Sequence, residues 1–217
     1  MNLQLILQIA ILNLFVQNFV VQRFLGLCPF IGQSDDKHKA IGMGIAVTFV
    51  MTMASFVTYL LYAYFLVPGS WFLRTVFGPG AGITEVGLLD VLVTVSYILV
   101  IASLVQFVEM FLRRFVPTLY RAMGIYLALI TTNCAVMGVA LLNTTDAPQD
   151  LGLTGAVLQG VFAGLGFTLV MLLMAGIRER LEYLNVPPCF KGAPIAFLCT
   201  GLMALAFLGF AGMAGLG

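Results

Sequence analysis

The chain has 217 residues and a net charge of only +1, from 10 Lys and Arg against 9 Asp and Glu. Hydrophobic residues make up 61% of it and charged ones 9%, with a mean hydropathy of +1.08. An ordinary soluble domain carries about 25% charged residues, so this chain lacks the polar surface that facing water requires. Its balanced charge also leaves no basic footprint for nucleic acid.

A membrane-spanning helix needs roughly 20 apolar residues. Taken in chain order, apolar stretches at 3–26, 40–66, 89–112, 119–143, 152–177 and 193–214 predict six spans in a single integral-membrane domain over 1–217. The first stretch has no basic leader and no small-residue cleavage site, so it is expected to remain as the first span rather than be removed as a signal peptide. It runs on as far as Ile31, too long for one straight pass, and contains Gly26, Pro29 and Gly32. The residue before a proline is biased away from helix, which places the expected break at Cys28. A charged turn, Gln33 to Lys39, separates it from the second span. Pro68-Gly69-Ser70 closes the second, Arg113-Arg114 the third, Asn143 to Gln149 the fourth, and Arg178-Glu179-Arg180 the fifth. In the fourth, Thr131-Thr132-Asn133 puts polar side chains at membrane depth immediately before Cys134. In the sixth, Gly201, Gly209, Gly212 and Gly215 read as small residues that let helices approach closely.

Basic residues collect on the cytoplasmic side of a membrane protein. Loops 1–2, 3–4 and 5–6 hold Arg23, Lys37, Lys39, Arg113, Arg114, Arg121, Arg178, Arg180 and Lys191, whereas the opposite loops hold only Arg74. Both termini are therefore expected on the periplasmic side of an inner membrane.

The chain also repeats itself. Cys28 is followed four residues later by Gly32, and Cys134 by Gly138. Gly44-Ile-Ala-Val-Thr48-Phe-Val-Met51 in the second span aligns with Gly164-Leu-Gly-Phe-Thr168-Leu-Val-Met171 in the fifth. Three spans per half, about 1–115 and 116–217, is an odd number, so the second copy must lie inverted, an architecture that places functional sites near the midplane at interrupted helices. The fold expected is all-α, six transmembrane helices in a 3+3 inverted repeat with helices 1 and 4 interrupted. Of the four cysteines, Cys28 and Cys134 occupy equivalent places beside the two interruptions. Cys189 follows Pro187-Pro188 in a loop and Cys199 sits in mid-span, where a cysteine behaves as a small hydrophobe. No CxxC pair suggests a zinc or ferredoxin loop.

The segments Phe24-Leu-Gly-Leu-Cys28-Pro-Phe30, Leu129-Ile-Thr-Thr-Asn-Cys134-Ala-Val-Met-Gly-Val-Ala-Leu-Leu-Asn143, Ile177-Arg-Glu-Arg-Leu181 and Val186-Pro-Pro188 resemble the A subunits of Rnf electron-transport complexes, which are homologous to small membrane subunits of the sodium-pumping NADH:quinone reductase. The stretch from Val67 to Leu88 is longer than that resemblance leads one to expect. The resemblance implies pairing with a homologous E subunit, with a [2Fe–2S] cluster at the interface and Cys28 and Cys134 as this chain's iron ligands. Such a cluster normally takes four thiolates, so the other two come from the partner. It further implies Rnf B, C, D and G subunits as partners, and electron flow between ferredoxin and NAD⁺ coupled to Na⁺ or H⁺ translocation. The resemblance also leaves open a quinone-reductase subunit of the E type, and the residues alone leave open a small inverted-repeat transporter with incidental cysteines or a structural scaffold.

Overall fold

The structure is a computed structural model, and it describes residues 3–66, 86–115, 129–130, 133–145 and 152–213. All regular structure among the described residues is helical. Helix α1, Leu3–Ile11, continues as a π-helical turn, Leu12–Val16. Beyond it lie α2, Leu27–Gln33; α3, Lys37–Leu61, ending in a second π turn, Tyr62–Leu66; α4, Val86–Phe115; α5, Cys134–Thr145; and α6, Gly152–Glu182. A short 3₁₀ turn, Pro188–Phe190, leads into α7, Ala193–Met213. Three helical stretches, Lys37–Tyr64, Gly152–Glu182 and Ala193–Phe210, are long and apolar enough to cross a membrane. Expectations for Pro68 to Ser70, Arg74, Arg121, Thr131, Thr132, Gly215 and most of the 67–88 stretch fall outside the described residues.

The centre of the molecule is the packing of α3 against α6. Gly160 lies against Ser55 and Gly164 against Thr48, so the residue numbers run in opposite senses and the helices are antiparallel. Contact is close enough that a Cβ built at Gly44 would lie 2.5 Å from Thr168 Cγ2, and one at Gly164 2.6 Å from Thr48 Cα. The arrangement is reciprocal. Thr48 Oγ1 donates to Gly44 O at 2.8 Å, Thr168 Oγ1 to Gly164 O at 2.9 Å, and the two hydroxyls lie 3.2 Å apart. Burial follows the same register. Adding 120 to eight of the nine buried α3 residues, Ala40, Met43, Gly44, Val47, Val50, Met51, Ala54 and Ser55, gives Gly160, Ala163, Gly164, Phe167, Val170, Met171, Met174 and Ala175, all buried on α6, while the ninth, Thr58, maps to the half-buried Arg178. Small residues, Gly44, Gly160 and Gly164, make the closest approaches of this seam, as expected where lipid removes the hydrophobic drive to associate and van der Waals fit must replace it.

Outer faces are apolar too. On α4, Val91, Val95, Ile98, Leu99, Phe107 and Met110 are exposed while Tyr97, Ile101 and Val105 are buried. Along α7, Phe197, Leu198, Leu202, Leu205 and Leu208 point outward at helical spacing. The α7 glycines depart from the sequence-based expectation, because a Cβ at Gly201 or Gly209 would meet nothing within 4 Å. Among the described residues the close approaches are made instead by Gly26, Gly44, Gly138, Gly160, Gly164 and Gly166.

The first apolar stretch is interrupted, but earlier than Pro29 suggests. Helical structure stops after Val16 and resumes at Leu27, and Cys28 is itself helical. Proline is tolerated in a first helical turn, where its missing N–H would have had no partner, so Pro29 starts α2 rather than breaking a helix. Unwinding is set upstream by Asn18, whose Oδ1 accepts the Val20 N–H at 3.1 Å, and by left-handed backbone at Phe24 (φ 54°) and Gly26 (φ 79°). Non-helical backbone at membrane depth must be enclosed by protein, and this segment is, apart from Arg23 and Phe24, which are exposed. Phe19, Val20 and Val21 are buried, Leu25 N–H donates to Phe19 O at 2.9 Å, and Asn18 Nδ2 donates to Gly166 O of α6 at 2.8 Å.

Candidate functional site

Cys28 lies in the first turn of α2 and Cys134 is the first residue of α5. Both thiols are exposed. The segments that carry them abut. A Cβ at Gly26, two residues before Cys28, would lie 2.8 Å from Asn133 Oδ1, 3.1 Å from Phe167 Cε2 and 3.2 Å from Ala135 Cβ. On the next turn of α5, one at Gly138 would lie 2.8 Å from Leu25 Cδ1 and 3.0 Å from Phe19 Cε1. The left-handed turn at Gly26 thus sits directly on the residues flanking Cys134, and each cysteine's own turn is the neighbour of the other's.

Asn133 organises this seam. It is 4% exposed and stands outside the helical path immediately before α5. Its Oδ1 accepts the Ala135 N–H at 3.0 Å and its main-chain carbonyl accepts the Val136 N–H at 3.1 Å, so it caps the helix that begins at Cys134. Asparagine is among the strongest N-caps because its side-chain oxygen takes up an amide left without a partner at the helix start. The sequence shows this signal, an Asn directly before an apolar run, although by pattern alone it reads only as polarity at membrane depth.

The far end of α2 is pinned by a charge. Arg178 of α6 donates through Nη1 to Ile31 O at 2.8 Å and to Ser34 Oγ at 3.0 Å, giving partners to groups at a helix C-terminus that the helix itself leaves open. Alongside it, Lys37 pairs with Glu179, Lys39 with Asp35 at 3.3 Å, and Asp36 caps α3 by accepting the His38 N–H at 3.0 Å. The charged residues that the sequence marks as a loop boundary therefore also hold the Cys28 helix against α6. These long-range bonds have no sequence signal.

The other two cysteines are placed differently. Cys189 is exposed in the 3₁₀ turn before α7, and Cys199 is half-buried within α7, packed against the core. Among the described residues no group of three or more His, Cys, Asp or Glu side chains converges. What the chain does bring together is the turn before Cys28 and the turn that begins at Cys134, with both cysteines exposed.

An all-helical chain with lipid-compatible outer faces and an interrupted first span is an integral membrane protein, and it belongs to the Rnf-Nqr family. The family described as "Rnf-Nqr subunit, membrane protein" matches residues 6–214. The chain is 49% identical over 205 residues to the A subunit of the Na⁺-translocating ferredoxin:NAD⁺ oxidoreductase complex of Acetobacterium woodii, covering 94% of this chain and 96% of that one. It is 49% identical over 211 residues to the A subunit of the ion-translocating oxidoreductase complex of Azoarcus sp. (97% and 96%), and 48% identical over 199 residues to its namesake from Cereibacter sphaeroides (92% of each).

Proposed function

We propose that this chain is an electron-relay subunit of an ion-translocating ferredoxin:NAD⁺ oxidoreductase in the bacterial inner membrane. In this reading Cys28 and Cys134 supply two of the four thiolates of a [2Fe–2S] cluster, and a homologous E-type subunit supplies the other two. The observation that carries it is the pair of exposed thiols on abutting helix starts. Two ligands from one surface fit half of a four-thiolate set, and an outward-facing half-site is what a cluster between subunits requires. Both cysteines also lie in first helical turns, the end of a helix at which negative charge is favoured. When bound, the cluster would supply one-electron transfer. The protein's contribution is to fix the two turns against each other through Gly26 and Asn133 and to enclose the unwound backbone beside them.

The reciprocal crossing of α3 and α6 supports a 3+3 inverted repeat of six spans, in which the first half supplies Cys28 and the second Cys134. The names of the relatives support membership of an ion-translocating oxidoreductase complex as its A subunit, and that of the Acetobacterium woodii relative supports ferredoxin and NAD⁺ as the redox partners; in this reading the B, C, D, E and G subunits complete the complex.

Replacement of cysteines one at a time in the purified complex tests the site. Cys28→Ser and Cys134→Ser should each reduce the iron bound at this interface and remove the corresponding [2Fe–2S] signal from the EPR spectrum. Cys189→Ser and Cys199→Ser should leave both unchanged. A full signal in both of the first two variants would end the assignment.

A further inference from the structure

Asn133 has a second end. Its Oδ1 is committed to the Ala135 amide, and that bond fixes which end of the carboxamide is oxygen. The Nδ2 at the other end is fully buried and has no hydrogen-bond partner among the described residues. Leaving a buried donor unpaired is costly, so an orphan amide in a well-packed seam calls for a function. Bonded to the same carbon as an oxygen 2.8 Å from the Gly26 Cβ position, it lies within the seam between the two cysteine turns. The acceptors nearest in sequence are the two thiols, Cys134 the next residue and Cys28 two past Gly26, and neither is a partner of Nδ2 in the chain alone. Thiol sulfur is a weak acceptor, whereas a thiolate is anionic and a hydrogen bond to a charged group is about twice as strong as a neutral one.

From this we infer that Asn133 is a tuning residue, its Nδ2 donating an N–H···S hydrogen bond to a ligand sulfur of Cys28 or Cys134. The inference rests on the assignment of those cysteines as cluster ligands. Hydrogen bonds to the sulfurs are among the factors that set an iron–sulfur potential. A donor stabilises the reduced, more negative cluster more than the oxidised one, so Asn133 raises the potential. The position equivalent to Asn133 in the first half is Leu27, which has no donor to offer, so the two ligands are unequally tuned.

An EPR redox titration of the assembled complex tests this with two variants that keep the helix cap. Asn133→Ser retains a capping oxygen without the amide, and Asn133→Asp keeps the shape of the side chain but replaces the donor with an anion. Both should keep the wild-type number of spins per complex. At a fixed ambient potential the reduced-to-oxidised ratio should fall several-fold in Asn133→Ser and further in Asn133→Asp, while Asn143→Ser, at another buried asparagine, leaves it unmoved. Complex labelled with ¹⁵N-amide asparagine should show a weak ¹⁵N coupling to the reduced cluster that disappears in Asn133→Ser. Unchanged ratios in both Asn133 variants with full spin counts would overturn the inference, as would loss of the cluster from both in an otherwise assembled complex, since a residue that only tunes the cluster is not needed to hold it. A cluster signal that survives Cys28→Ser and Cys134→Ser overturns the underlying ligand assignment as well, whatever the Asn133 variants do.

Discussion

A methyl group at Gly26 would meet Asn133, Ala135 and Phe167 at 2.8–3.2 Å on a backbone with φ 79°. Two penalties then act together: left-handed backbone costs a non-glycine residue roughly 1–2 kcal/mol, and overfilling a packed site costs about 1–3 kcal/mol. Gly26→Ala is expected to lower the midpoint of thermal unfolding in detergent and to separate the two cysteine turns, so iron content should fall although neither ligand is touched. Gly32→Ala, where nothing lies within 4 Å, is the matched control and should retain its iron. At this scale the sequence marks candidate residues and says little about conformation. Cys28 and Cys134 stand out by equivalent placement, and both are exposed helix starts. Asn18, which turns the chain out of its first helix, and Asn133, which begins α5, read from the sequence only as polar residues in apolar surroundings, because their effect lies in which backbone amide each side chain reaches.

Between elements, the antiparallel seam of α3 and α6 makes a symmetrical prediction. Gly44→Ala and Gly164→Ala each force a Cβ to within 2.6 Å of a threonine on the opposite helix. Each should destabilise the protein by about 1–3 kcal/mol, and by similar amounts, because each contact is the counterpart of the other. Gly42→Ala and Gly176→Ala, on the same helices but open on that side, should be close to neutral or slightly stabilising, since alanine is the better helix former. Unfolding of the four variants in detergent, followed by circular dichroism, separates the pairs. The Gly-x-x-x-Thr repeat that predicts this seam is short, and apolar helices resemble one another by chance, yet its register of 120 is the one in which the two helices bury their faces. The interruption of the first span was legible as a fact and misplaced by about ten residues, since helix stops after Val16 rather than at Cys28. Proline is a strong signal against continuing a helix, but the same ring is well suited to starting one.

For the whole molecule, apolar runs locate α3, α6 and α7 to within a few residues, since length and hydropathy are what a bilayer selects. Bilayer orientation is a matter of loop charge, and it yields a labelling test. In a variant whose sole cysteine is Cys189, an impermeant maleimide should react in everted inner-membrane vesicles and not in intact spheroplasts. The reverse pattern would place the basic loops, and with them both termini, on the opposite sides.

The α3–α6 seam joins residues 120 positions apart. A ribosome adds about 5–20 residues per second, so roughly 6–24 s pass between synthesis of Thr48 and synthesis of the residue that faces it. Throughout that interval the notch at Gly44 has no tenant but lipid or the insertion machinery, and the enclosed turn at Asn18 lacks the α6 carbonyl that will accept its amide. A nascent chain interrupted before Gly152 would carry this unfinished groove into the membrane, with the Gly44 notch unfilled and the Asn18 amide without its α6 acceptor.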